Sequence, residues 1–95
     1  MKRIELNNNN YELIKEYKNG FEIDLVKEKL NETDYFDNYD YIFGDWAYGK
    51  LRLKGFYDKK NPNCKDNNSY DLIENYIKNY CAYECRYFII KKLKG

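Results

Sequence analysis

The 95-residue chain has no histidine, one proline, one tryptophan and three cysteines. Without histidine it lacks the commonest general base. Three cysteines fall short of a four-thiolate zinc site, and they are too few for a disulfide scaffold. No apolar run nears the roughly 18 residues that a membrane helix needs, and the mean hydropathy is −0.99; no membrane partner is expected. Met1 to Asn10 holds basic residues but no apolar core segment, so no secretory signal is expected there. Reduced thiols in the cytoplasm are the expected setting. Charge of one sign is missing too: 17 Lys and Arg face 16 Asp and Glu, net +1. Bulk charge therefore indicates neither a basic nucleic-acid arm nor an acidic tail.

What is abundant carries little weight by itself. Asn, Lys, Tyr and Ile make up 47 of 95 residues, and all four use A/T-rich codons. Position must therefore carry the argument.

The length fits one domain. Residues 1–10, ending in four Asn, read as a frayed polar tail, with a single domain over 11–95. Tyr11 to Tyr17 reads as a strand with Tyr11, Leu13 and Tyr17 on one face and Lys15 as the exception; Asn19-Gly20 ends it. Phe21 to Leu30 reads as a helix, with Phe21/Leu25 and Val26/Leu30 at i,i+4. Glu32 to Asp40 is an acidic connection. Tyr41-Ile42-Phe43 reads as a strand stopped at Gly44. Asp45 to Gly49 reads as a turn, which gives a hairpin loop longer than two residues. Lys50 to Tyr57 alternates most clearly: Leu51, Leu53 and Tyr57 one way, Lys50, Arg52, Lys54 and Phe56 the other. Asp58 to Ser69 is a loop, flexible in expectation, and Asn68 or Ser69 can cap the next helix. There Ile73, Tyr76, Ile77 and Tyr80 form one apolar stripe. Arg86 to Ile90 is a strand, followed by Lys91, Lys92 and Lys94. The order is β-α-β-β-α-β. It predicts an α+β domain with two helices on one face of a mostly antiparallel sheet, an order that ferredoxin-like folds share.

Two blocks carry a family resemblance. Asp40-Tyr41-Ile42-Phe43-Gly44-Asp45-Trp46-Ala47-Tyr48-Gly49-Lys50-Leu51-Arg52-Leu53-Lys54-Gly55-Phe56-Tyr57 resembles the central signature of the YutD-like family of small bacterial proteins. Tyr80-Cys81-Ala82-Tyr83-Glu84-Cys85-Arg86-Tyr87-Phe88 is similar to its C-terminal signature, in which Asn-Phe-Gly usually separates the cysteines. The resemblance spans Tyr11 to Lys92 and implies a compact α+β domain. It implies no activity.

Three constellations bear on chemistry. Cys81 and Cys85 share a face if the helix continues, but a helix C-terminus disfavours thiolate; the alternatives are two buried packing residues, a metal site, or a redox or nucleophilic pair. Asp45 beside Trp46 is the best carboxylate for acid–base work, or an ordinary turn residue. The basic ladder Lys50, Arg52 and Lys54, with Phe56 at its end, is the strongest feature. Residues 30–49 hold five acids and no base, whereas residues 50–60 hold five bases and one acid. If the basic strands lie side by side, they make a cationic, aromatic face suited to RNA. Otherwise the cations are solvated or paired with acids on adjacent strands. Trp46 and Tyr48 either cap the core or meet a partner. Gly44 and Gly49 are expected to serve turn dihedrals, and Gly55 a bulge or close approach.

The sequence thus indicates a binding module without catalytic machinery, cofactor or metal. It would meet RNA or a ribonucleoprotein surface through Trp46, Tyr48, Lys50, Arg52, Lys54 and Phe56. The alternatives are a protein-interaction adaptor, or a thiol-dependent enzyme or redox protein using Cys81 and Cys85.

Overall fold

The computed structural model describes residues 2–6, 9–33, 36–47, 49–65, 69–80 and 86–93, apart from the side chains of Lys2 and Tyr80. Among them the order is β1 (Lys2–Leu6), β2 (Asn9–Tyr17), α1 (Ile23–Asn31), β3 (Tyr41–Ala47), β4 (Lys50–Phe56), α2 (Ile73–Tyr80) and β5 (Tyr87–Lys92). This is an α+β architecture. One sheet runs β1-β2-β5-β3-β4, antiparallel at every strand pair. From β2 onward the element order is the expected β-α-β-β-α-β. No helix among the described residues is long and apolar enough to cross a membrane.

Residues 2–6 and 9–10 are not a frayed tail. Ile4 and Leu6 alternate with charged residues and are buried against the core, so β1 gains a hydrophobic face and pairs with β2. Leu6 pairs with Asn9 and Glu5 with Asn10, so the last two Asn of the run belong to β2.

The helices lie on opposite faces of the sheet, not on one. In β3, Ile42 joins the cluster that contains Val26 and Leu30 of α1. Its neighbours Tyr41 and Phe43 join the cluster that contains Ile73 of α2. Successive strand residues point to opposite faces, so each cluster covers one side. An apolar stripe says that a helix must bury one face; it does not say against which side of the sheet. The strand adjacency is not ferredoxin-like either, because β5 sits between β2 and β3.

The Lys15 exception has a local cause. Leu13 pairs with Ile90 and Lys15 with Ile89, so Ile14 is a bulged extra residue. The bulge flips the parity of the strand. Tyr11 and Leu13 belong to the α1 side, whereas Tyr17 stacks on Tyr87, which packs on the α2 side.

Helix α1 starts two residues later than the apolar spacing suggests. Phe21 instead turns into the core, edge-on to Phe88 at 5.0 Å between ring centres, and its amide donates to Glu16 at 3.1 Å. Leu25 is left 41% exposed. Before α2, the Ser69 hydroxyl accepts from the Asp71 amide and caps the 3₁₀ turn Tyr70–Leu72.

Candidate functional site: the β3–β4 hairpin

The hairpin is tighter than the glycine spacing suggests. Ala47 pairs with Lys50, so two residues connect the strands. Gly49 has φ +75°, the left-handed conformation that glycine adopts without strain. Tyr48 lies outside the described residues. Asp45 and Trp46 are therefore strand residues, opposite Arg52 and Leu51.

Gly44 sits inside β3, not at a turn. A Cβ there would overlap the Phe88 ring. At Gly55 the same addition would overlap the ring of Tyr39, so both glycines serve close approach.

The basic ladder divides three ways. Lys50 is exposed. Arg52 is held by Asp45, its Nε donating at 3.0 Å and its Nη2 at 2.5 Å. The Asp45 carboxylate is buried, and the two planar groups meet as a fork. Lys54 places its ammonium over the rings of Phe56 and Tyr76, 5.6 and 5.7 Å from their centres. Phe56 itself is 1% exposed and belongs to the core under α2. The two basic strands do not lie side by side, because β3 separates β4 from β5.

Trp46 is half-buried against the α1 side of the core. Its indole N–H donates to the Gly20 carbonyl at 2.7 Å. The Arg86 guanidinium lies 4.6 Å over the ring and donates to Asn19 O and to Glu22. Lys18 and Asn19 both have positive φ, near 55°, and Arg86 reaches across to hold this left-handed turn. Nothing in the sequence pattern pairs Arg86 with Trp46 or Glu22, since 64 residues separate Arg86 from Glu22.

At the other end of β3 an open cleft of about 490 Å³ is lined by Asp40, Tyr41, Lys60, Asn61, Lys91 and Lys92 among others. The Asp40 carboxylate is engaged there by the Asp58 amide and by Asn61 Nδ2, which pins the start of the 58–65 loop. Burial, reinforced by the negative charge of Asp58, raises the Tyr41 phenol above its ordinary value.

Cys81 and Cys85 lie outside the described residues. Cys64 is a free, partly exposed thiol. Among the described residues no group of His, Cys, Asp or Glu is placed to hold a metal ion. None of their buried side-chain nitrogens or oxygens lacks a partner, so no polar group inside the fold waits for a ligand.

Fold and hairpin together define a small α+β domain built on one antiparallel sheet, its cationic strand braced by an acid from β3 and a ring from α2. The chain belongs to the YutD-like family: the family model described as "Putative antitoxin YutD-like" matches residues 5–91. It is 37% identical over 91 residues to the protein named "Putative antitoxin YutD" of Bacillus subtilis (strain 168), covering 96% of this chain and 98% of that one. The solution NMR structure of protein yutD from B. subtilis superposes with a TM-score of 0.81 at 36% identity. That match covers 100% of this chain and 84% of the other.

Proposed function

We propose that this chain is a non-catalytic module that binds another protein through the β3–β4 hairpin. One observation carries the reading: α2 covers the face that an RNA base would need, while β4 ends the sheet. Phe56 is buried beneath Tyr76, Arg52 is neutralised by Asp45, and Lys54 leans on two rings. An aromatic ring can stack a base only if its face is open. The name of the B. subtilis relative, a putative antitoxin, supports a protein partner.

The test is retention on the tagged chain from a host lysate after exhaustive nuclease treatment. The expected result is one protein held by the native chain and lost with the double variant Lys50→Glu, Lys54→Glu, whose fold is checked by Trp46 fluorescence. Retention of RNA alone, abolished by nuclease, overturns the reading. Such an RNA complex resting on Lys50 and Lys54 would have a log–log salt slope of about −1.8, a loss of roughly 12-fold over a fourfold rise in salt.

A further inference from the structure

The sheet has two edges, and they differ. At β4 the edge is closed over: Leu51 and Gly55 are buried, and a Cβ on Gly55 would meet the ring of Tyr39. At β1 the edge is open. The Leu93 amide donates to the Asn10 carbonyl at 2.7 Å, so Asn10 aims its backbone at β5. In an antiparallel ladder the two groups of one residue point to the same side, and that side alternates along the strand. Asn9, Tyr11 and Leu13 therefore face β1, opposite Leu6, Ile4 and Lys2. Arg3 and Glu5, between them, turn N–H and C=O away from the sheet. Both residues are exposed.

The side chains of β1 follow the same alternation. Ile4 and Leu6 are buried in the cluster that contains Val26 and Leu30 of α1. That cluster runs inward to Ile90 of β5 and Ile42 of β3, so α1 lies over the sheet and not outside its edge. Arg3 and Glu5 stand on the α2 face. The buried strand residues under α2 come from β3, β4 and β5, which leaves β1 uncovered there. Neither Arg3 nor Glu5 has an ion pair with another described residue.

Charge at outward positions ordinarily guards an edge against strand addition. In β1 the two charges are opposite in sign and two residues apart, and that spacing admits one partner. Consider β1 antiparallel to its own copy. A register centred on Arg3 sets Arg3 against itself, and one centred on Glu5 sets Glu5 against itself; like charges directly opposite are destabilising. A shift by one residue sets an outward backbone against an inward one. Centred on Ile4, outward meets outward, and Arg3 lies opposite Glu5 of the second copy on both sides of the axis.

We propose that β1 is a self-association edge: two copies of the chain pair β1 against β1 about Ile4, across a two-fold axis, and join two five-stranded sheets into one. Each Arg3–Glu5 pair then exchanges both of its main-chain hydrogen bonds. Each Arg3 lies between Glu12 on β2 of its own chain and Glu5 of the second copy. The contact uses the same patch on both copies, so it closes at a dimer. With a strand of five residues the contact is small, and dimerisation requires high concentration. Because β4 ends each sheet, the dimer carries a β3–β4 hairpin at each far end. A partner with two sites could hold both hairpins at once. Self-pairing at β1 does not depend on what the hairpin binds.

The test is sedimentation equilibrium of the full chain from about 10 µM to about 1 mM, with charge-swapped variants. The expected result is a monomer–dimer equilibrium in the native chain. Arg3→Glu alone, or Glu5→Arg alone, sets like charges opposite each other at both pairs and should weaken dimerisation roughly tenfold. Mixing these two variants should restore it, because every pair across the axis is again acid against base. The double variant Arg3→Glu, Glu5→Arg should restore it as well. Both positions are exposed, and Trp46 fluorescence checks that each variant keeps the fold. Amide hydrogen exchange gives a second readout. Raising the concentration should slow exchange at Arg3 and Glu5 severalfold and leave Ile4 and Leu6, already turned to β2, unchanged. A chain that stays monomeric up to about 1 mM overturns the proposal. So does a dimer that the charge swaps leave unaltered, or one that forms without protecting Arg3 and Glu5.

Discussion

On the α1 side of the sheet the buried residues are mostly aliphatic: Ile4, Leu6, Val26, Leu30, Leu51, Ile42 and Ile90. On the α2 side they are mostly aromatic: Tyr41, Phe43 and Phe56, joined by Tyr70, Tyr76 and Tyr87. Phe43 alone meets Tyr76 edge-on at 5.3 Å and Tyr87 in a stack at 5.7 Å. Much of the tyrosine content that could pass for a binding signal is therefore structural. A tyrosine can cover apolar surface with its ring and keep its hydroxyl near water. That suits a helix such as α2, which offers Ile73, Tyr76 and Ile77 to the sheet. The aliphatic side closes over a helix that contributes two buried residues, Val26 and Leu30.

The sharpest way to break this contrast is to empty one face at a time. Phe43→Ala should cost about 3–5 kcal/mol in urea unfolding, and Leu30→Ala about 2–5 kcal/mol. A loss under about 1 kcal/mol for Phe43→Ala would mean that the aromatic layer is a veneer and not a core. Gly44→Ala tests the α1 side by overfilling. The new methyl meets the Phe88 ring, and overpacking should cost about 1–3 kcal/mol; unchanged stability would show that Phe88 can move aside. Asp45→Asn removes the charge that fixes Arg52. Because Arg52 is half exposed, the expected loss is only about 1 kcal/mol, with an unaltered Trp46 emission spectrum. A larger loss would make the fork part of the core.

Alkaline pH gives the mildest comparison, with one phenol on each face. Tyr11 on the α1 side is raised by burial and then by Asp37. Tyr41 on the α2 side is raised by burial and then by Asp58. A phenol whose folded value exceeds 10.0 holds its proton longer in the native chain. Its stabilisation is complete below pH 10 and is lost as pH climbs from there through the folded value. Tyr11→Phe and Tyr41→Phe should each flatten the fall in melting temperature above pH 10. Parallel curves for both variants and the native chain would show that neither phenol is linked to folding.

Much of the fold was legible because its elements announce themselves locally. The alternation of Lys50 to Tyr57, the stripe Ile73-Tyr76-Ile77 and the run Tyr87 to Ile90 each match their element. What escaped was non-local. Ile4 and Leu6 form too short an alternation to outweigh four Asn. Glycines at 44 and 49 bracket what looks like a turn, yet Gly44 answers to Phe88, which is 44 positions away in the chain. That displacement put Asp45 in a loop and hid its fork with Arg52. The cations of the hairpin could be read from the sequence; what restrains each of them depends on strand order and on which side α2 covers, and neither is written locally.

The place of β5 in the sheet governs when this protein can exist at all. Hairpins β1–β2 and β3–β4 join neighbours in the chain, but the strand between them is the last of the five to be made. From Phe56 to Tyr87 the ribosome adds 31 residues, which at about 5–20 residues per second takes roughly 2–6 seconds. During that interval two half-sheets wait with open edges and uncovered apolar faces. A nascent chain stalled before Tyr87 thus holds two hairpins without the strand that joins them.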